Sequence, residues 1–408
     1  MKKTLSVLTL LVSFFSFSKN QEIGQNFIEI LLKQKNFEKA LTFLDASIKD
    51  KVAVDFLTKT SNQLDAQLGA YQNTISVTNK GDVFSYYTQF KNMALDFDIS
   101  FKEDKIVGFF LKQHQEVNPK DYKIKSGTID LKGTLLEAEK SSILVVFIHG
   151  SGPNDRDETI GPNKPFKDMA EAFQKEGIAS YRFDKRTKSN PETFSDESTV
   201  EDEVVVDAVA IVNHFRSSEK FKNHKIIVLG HSLGAFMMPK IANSVSLDKA
   251  VMMAGNARGL QDVIIDQYVY LNSLNPTKEG ENQIAAIKKE VSFLTSNKFN
   301  TTLSSDELPL GLSAKYWQSL LNYKPLVEVK IVAIPLLILN GERDYQVTMK
   351  EFNLWKKTLA NTKAQFISYP KLNHLFIAGK GKPSPEEYAV KGEVDKQVID
   401  DIITFCKI

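Results

Sequence analysis

A serine flanked by glycines, Gly230-His231-Ser232-Leu233-Gly234, directly follows the apolar run Lys225–Leu229 and precedes a stretch of helical character near Ala235. Between a parallel strand and a helix, such a pentapeptide makes a tight, strained turn that lifts the hydroxyl clear of the sheet, and its glycines permit that turn. The ordinary alternative is a plain strand-to-helix turn with a capping serine. A serine hydroxyl attacks well only when a base takes its proton during the attack. In folds that use this turn, the acid and then the base follow the serine along the chain. Five aspartates lie between Ser232 and His374, namely Asp248, Asp262, Asp266, Asp306 and Asp344. Only Asp344 stands just past a buried strand, expected at Ile334–Leu339, in a loop that contains Gly341; Glu342 is the alternative carboxylate. Of the six histidines only His374 follows Asp344, in a loop after the short strand expected at Phe366–Tyr369. The expected roles are Ser232 as nucleophile, His374 as proton carrier, and Asp344 as the group that orients and charge-balances the imidazole.

Acyl transfer also needs donors for the oxyanion. His149-Gly150-Ser151-Gly152-Pro153 ends another apolar run, and its glycines let backbone N–H groups approach a ligand. The N–H of Ser151 and that of Leu233 are the expected pair. One such donor is typically worth about 10²–10³ in turnover. A simple loop is the alternative, and no lysine follows in the spacing of a phosphate cradle. Only six of the 52 basic residues are arginines, and three are Arg156, Arg182 and Arg186, close to these loops. Arginine's planar fork makes bidentate carboxylate pairs that lysine cannot. They either brace the loops or, in the case of Arg156, bind an anionic group of the substrate.

The elements that must position these residues are legible as a doubly wound α/β domain over 120–408. Strands are expected at Ile143–His149, Ile178–Phe183, Lys225–Leu229, Ala250–Met253 and Ile334–Leu339, as short, nearly continuous Val/Ile-rich runs that suit parallel strands covered on both faces. Between them Ser198 and Glu201 have capping-box spacing, with Val200, Val204, Ala208, Ile211 and Phe215 on one helical face. Ligand sites of such sheets lie at the carboxyl ends of the strands. The segment from about 256 to 330 is too long for a plain connection. It carries Tyr268, Tyr270, Trp317 and Tyr323 and is expected to form a helical cap, with Trp317 against the substrate, or else a packed insertion.

Residues 22–115 read differently. Phe27, Leu31, Phe37, Leu41 and Leu44, then Phe56, Leu57, Leu64 and Leu68, recur at helical spacing. Met93 to Phe101 then alternates as a strand, and a second strand runs from Ile106 to Leu111. A small α+β domain ending near Gln113 is expected. Before it, Lys2 and Lys3 precede an apolar run from Leu5 to Phe17, and Ser16-Phe17-Ser18 offers a cleavage site, so residues 1–18 read as a secretory signal peptide. The single cysteine, Cys406, has no partner for a disulfide. Export without disulfides suits a bacterial periplasm or the medium. The formal net charge of +2 in 408 residues gives no basic face for nucleic acid, and no later stretch is apolar for long enough to span a bilayer.

Over roughly residues 120–408 the chain resembles the α/β-hydrolase superfamily. His149-Gly150-Ser151-Gly152-Pro153-Asn154-Asp155-Arg156-Asp157 and Gly-His-Ser-Leu-Gly are similar to those of bacterial acyl esterases near the dienelactone-hydrolase and prolyl-oligopeptidase branches. Dienelactone hydrolases carry cysteine where this chain has Ser232. The first domain looks like a cystatin-like or NTF2-like module. The resemblance implies hydrolysis of carboxylic esters with short or medium acyl groups, on small or carbohydrate-linked substrates, without a cofactor. A peptidase or amidase with the same triad, and a non-catalytic binding protein on the same scaffold, are the competing readings.

Overall fold

The computed structural model describes residues 19–49, 52–113 and 121–408. The expected signal peptide lies outside the described residues. They fall into two compact units, which divide between Val117 and Asn118.

In the first unit short helices and the longer helix Val54–Leu68 pack on a four-stranded antiparallel sheet. Its strands run in sequence order: β1 (Tyr71–Lys80), β2 (Val83–Phe90), β3 (Ala94–Lys102) and β4 (Lys105–Gln113). Phe27, Leu31, Leu57, Phe84, Phe97 and Ile99 form its core. β1 and β2 go beyond the two strands expected there; β1 is rich in Asn, Thr, Gln and Lys, and its register with β2 shifts twice.

The second unit is built on an eight-stranded, mostly parallel sheet. Its strands are β5 (Tyr122–Ser126), β6 (Ile129–Leu136), β7 (Ile143–Ile148), β8 (Ala179–Phe183), β9 (Lys225–His231), β10 (Lys249–Met253), β11 (Leu336–Gly341) and β12 (Gln365–Tyr369). Their order is β12-β11-β10-β9-β7-β8-β6-β5. From β8 to β12 all pairs are parallel, while β5–β6 and β6–β8 are antiparallel. Every residue of β7, Ile-Leu-Val-Val-Phe-Ile, is buried, because helices cover both faces of the sheet. Side chains of alternate parity enter two separate cores. Leu144 and Val146 pack toward Phe215 and Ile211, whereas Val145 and Phe147 pack toward Phe166, Phe173 and Ile402.

Two local expectations change. β11 begins at Leu336 rather than Ile334, because Pro335 has no N–H to give to a ladder. The helix that carries Val204 to Phe215 is not capped by Ser198. Instead the N–H and hydroxyl of Thr199 donate to Asp202 Oδ2, at 2.8 and 2.7 Å. A π-turn, Glu201–Val205, then leads into the α-helix Val206–Ser217.

The chain order reverses at β7: β8 lies on one side of it and β9 on the other. Ile148 pairs with Gly230, so the carboxyl ends of β7 and β9 stand level. This is the topological switch point, where an open α/β sheet forms its crevice. Above it, between β10 and β11, helices Leu260–Leu274, Lys278–Leu294 and Ala314–Asn322 form a cap. No helix among the described residues is long and apolar enough to cross a membrane.

Candidate active site

Ser232 sits on the turn between β9 and the short helix Leu233–Phe236 with φ 51° and ψ −112°. A non-glycine residue held there typically stores about 1–3 kcal/mol of strain, which persists only where the surroundings enforce it. The enforcement is visible in the flanking glycines. A Cβ on Gly230 would lie 2.6 Å from the Gly234 carbonyl, and one on Gly234 would lie 2.4 Å from Ile148 O. The turn closes only because both side chains are absent. Ser232 N–H donates to Met253 O at 2.9 Å, tying the turn to β10.

His374 and Asp344 meet five and three residues past the ends of β12 and β11. His374 Nδ1 lies 2.6 Å from Asp344 Oδ2, and both side chains are buried. The other carboxylate oxygen accepts from the N–H groups of Gln346 and Val347, at 2.8 and 2.9 Å. With its carboxylate fixed from both sides, Asp344 holds the imidazole in one orientation. Glu342 is exposed and accepts a hydrogen bond from Ser368, so it takes no part. The His374 ring packs 4.6 Å from that of His231, the residue before Ser232. Among the described residues neither Ser232 Oγ nor His374 Nε2 has a hydrogen-bond partner; Ser232 lines a cavity, whereas His374 is buried and stands outside that lining.

The N–H groups of Ser151 and Leu233 likewise find no protein acceptor among the described residues. Leu233 opens a helix, where N–H groups lack intrahelical partners. Ser151, Ser232 and Leu233 all line one cavity of about 650 Å³ beneath the cap. Its wall is largely apolar, with Phe236, Leu260, Val263, Ile264, Leu312 and Leu320.

The family profile described as serine aminopeptidase, S33, matches residues 142–380. This segment holds the serine turn, Asp344 and His374. The chain belongs to this family of α/β hydrolases. Esterase EstD of Thermotoga maritima is 35% identical to this S33-family chain over 391 residues, covering 91% of it and 92% of the relative. Among solved structures, an esterase of Pyrococcus furiosus covers 71% of this chain and 89% of its own, at 17% identity and a TM-score of 0.45. Est1E from Butyrivibrio proteoclasticus covers 70% and 96%, at 15% identity and a TM-score of 0.44.

Two expected substrate contacts of this S33-family hydrolase are corrected. Arg156 is only 7% exposed and stands outside the cavity lining. Its guanidinium grips Asp184 through two nitrogens and gives a further donor to Asp121 and Thr134. Burial alone would lift the Asp184 carboxyl, but Arg156 overrides it and holds it below the usual range. Arg182 with Asp157, and Arg186 with Asp207, brace the same region. Trp317 is fully buried and donates to Pro309 O at 3.0 Å inside the cap. The cavity is met instead by Tyr316, one residue and about 100° around the helix. Of the other cap aromatics, Tyr268 lines the cavity. Tyr270 donates to Pro383 O, and Tyr323 donates to Phe236 O.

Three buried groups escaped the sequence reading. Glu158 Oε1 accepts from Gly150 N–H at 2.6 Å, and its Oε2 approaches His231 Nδ1 at 3.0 Å without hydrogen-bond alignment. Burial opposes charge on both, yet each favours the charged form of the other, so the His231 value is raised and that of Glu158 lowered. Lys185 and Glu203 form a buried ion pair, and Glu203 accepts from the Tyr316 hydroxyl at 2.5 Å. Burial, and then Glu203, push the Tyr316 phenol well above its ordinary value, so it remains a donor. The available signal was a lysine inside Arg182-Phe183-Asp184-Lys185-Arg186 and a glutamate beside Val204 on a buried helix face.

Proposed function

We propose that the protein is a serine esterase that cleaves carboxylic esters of short or medium acyl groups. The observation that supports this reading is the buried Asp344–His374 pair, whose imidazole packs on the ring of His231, together with the strained Ser232 next to it in the chain, which lines a largely apolar cavity. Ser232 Oγ attacks the ester carbonyl while His374 Nε2 takes its proton. The resulting oxyanion is held by the N–H groups of Ser151 and Leu233. Collapse of the tetrahedral adduct expels the alcohol, which takes the proton back from His374 and leaves an acyl-Ser232. Water, deprotonated by the same imidazole, attacks the acyl carbonyl; the second adduct collapses to the acid as its bond to Ser232 Oγ breaks, and that oxygen takes the proton back from His374. No step calls on a cofactor. The similarity to an esterase over nine-tenths of both chains favours ester over amide substrates. A peptidase reading draws on the description of the family. Turnover of p-nitrophenyl acetate and butyrate beside aminoacyl-anilides separates the two: ester hydrolysis is expected to dominate and to fall by about four to six orders of magnitude in Ser232→Ala. Faster cleavage of the anilides would reverse the assignment.

Export is part of the same proposal, supported by Lys2, Lys3 and the apolar run Leu5–Phe17. A mature chain that begins after about residue 18 is the expected outcome of N-terminal sequencing of the secreted or periplasmic protein.

A further inference from the structure

Gly150 is held on both sides. Its N–H donates to Glu158 at 2.6 Å, and its carbonyl oxygen accepts from Lys185 Nζ, also at 2.6 Å. Asn154 Nδ2 reaches the same oxygen from 3.2 Å, but spreads its donors over the Ser151 and Gly152 carbonyls as well. The Gly150 carbonyl and the Ser151 N–H belong to one trans peptide plane and point in opposite directions across it. Whatever anchors that carbonyl therefore aims that N–H. Lys185, 2% exposed just past β8, does so with an ammonium paired to Glu203. Glu203 in turn accepts from Tyr316 of the cap, and Glu203 and Tyr316 both face the cavity. Stability alone gives little reason for this arrangement, since apolar isosteres of a buried ion pair are often as stable or more so.

We propose that Lys185 is a positioning residue that aims the Ser151 N–H at the oxyanion, and that Glu203 and Tyr316 make this aim depend on the seating of the cap. A substrate that presses on Tyr316 thereby acts on the donor that stabilises its own tetrahedral adduct. The inference rests on the reading of Ser151 N–H as an oxyanion donor in an esterase.

The test compares wild type, Tyr316→Phe and the triple variant Lys185→Met/Glu203→Met/Tyr316→Phe. The triple variant removes both charges and the hydroxyl together, so that no buried charge is stranded. Each protein is assayed for kcat and KM on p-nitrophenyl butyrate, and for inhibition by butylboronic acid, which forms an anionic tetrahedral adduct, and by butanol, which does not. Wild type that fails to turn over the ester would defeat the esterase reading itself, before any variant is considered. With active wild type, the triple variant is expected to lose about ten- to a hundred-fold in kcat, part of the loss seen when an oxyanion donor is removed outright. Boronate affinity should fall in proportion, with KM and butanol inhibition nearly unchanged. Tyr316→Phe should show the same pattern at a few-fold size, and it keeps the proposal testable if the triple variant fails to fold. Wild-type kcat and boronate affinity in the folded variants, or equal losses of boronate and butanol binding, would overturn the proposal.

Discussion

At the scale of single residues, the site is a set of buried polar groups whose directions are all fixed except those that meet the substrate. Asp344 spends one oxygen on two backbone N–H groups and the other on His374. Asp344→Asn keeps the shape but presents the imidazole in the wrong tautomer, so kcat should fall by about 10⁴ with the fold intact; ester assays beside circular dichroism check this. His149 is the opposite case. Among the described residues neither of its buried ring nitrogens, packed between Phe166 and Phe183, makes a well-aligned hydrogen bond. Burial lowers its value from 6.5 to about 4. As pH falls through 6.5 the unfolded chain takes a proton that the folded chain refuses until about 4, so stability is lost across that window. The loss amounts to about 3 kcal/mol once pH is below both values. His149→Phe removes this titration. Urea unfolding should therefore show the variant gaining on wild type between pH 7 and pH 4, and a constant difference would contradict the assignment.

At the scale of elements, the two glycines of the serine turn are steric necessities. Gly234→Ala would drive a methyl to 2.4 Å from Ile148 O, a backbone atom of a central strand with little freedom to yield. The variant is expected to lose about 1–3 kcal/mol of stability and most of its labelling by a fluorophosphonate, read by thermal unfolding and gel fluorescence. The same elements explain what could be read in advance. Apolar runs such as Ile143–Ile148 and Ile226–Leu229 announce parallel strands because both of their faces are buried. Ser232 and Asp344 were legible because each stands just beyond such a run, and His374 because no other histidine follows Asp344; the strand before it, Gln365–Tyr369, is a partly exposed edge strand. β1 was not, since its alternating stretch, Ile75 to Thr78, is short and set among Asn, Gln, Thr and Lys, and its register with β2 shifts twice. Whether Tyr316 or Trp317 meets the cavity depends on how the cap helix is rotated in its packing, which helical periodicity alone leaves open. Lys185 and Glu203 were hidden for a related reason: each looks like a surface charge until its partner arrives from another element.

At the scale of the molecule, each unit has a core of its own. Phe27, Leu57, Phe97 and their neighbours belong to the first, and the two faces of the eight-stranded sheet belong to the second. Two cores with separate membership predict thermal unfolding that departs from a single two-state transition. Covalent phosphonylation at the serine should raise the transition of the larger unit and leave that of the smaller one in place, because only the native form of the larger unit gains from the adduct. Differential scanning calorimetry of free and inhibited protein reads this directly; equal shifts of both transitions would show that the units unfold as one.

The central claim is that Ser232 carries the acyl group during turnover. Protein quenched in acid during steady turnover of p-nitrophenyl butyrate, then digested and mapped by mass spectrometry, should carry one butyryl group on the peptide that contains Ser232. A butyryl group on any other residue, or undiminished turnover by Ser232→Ala, would contradict it.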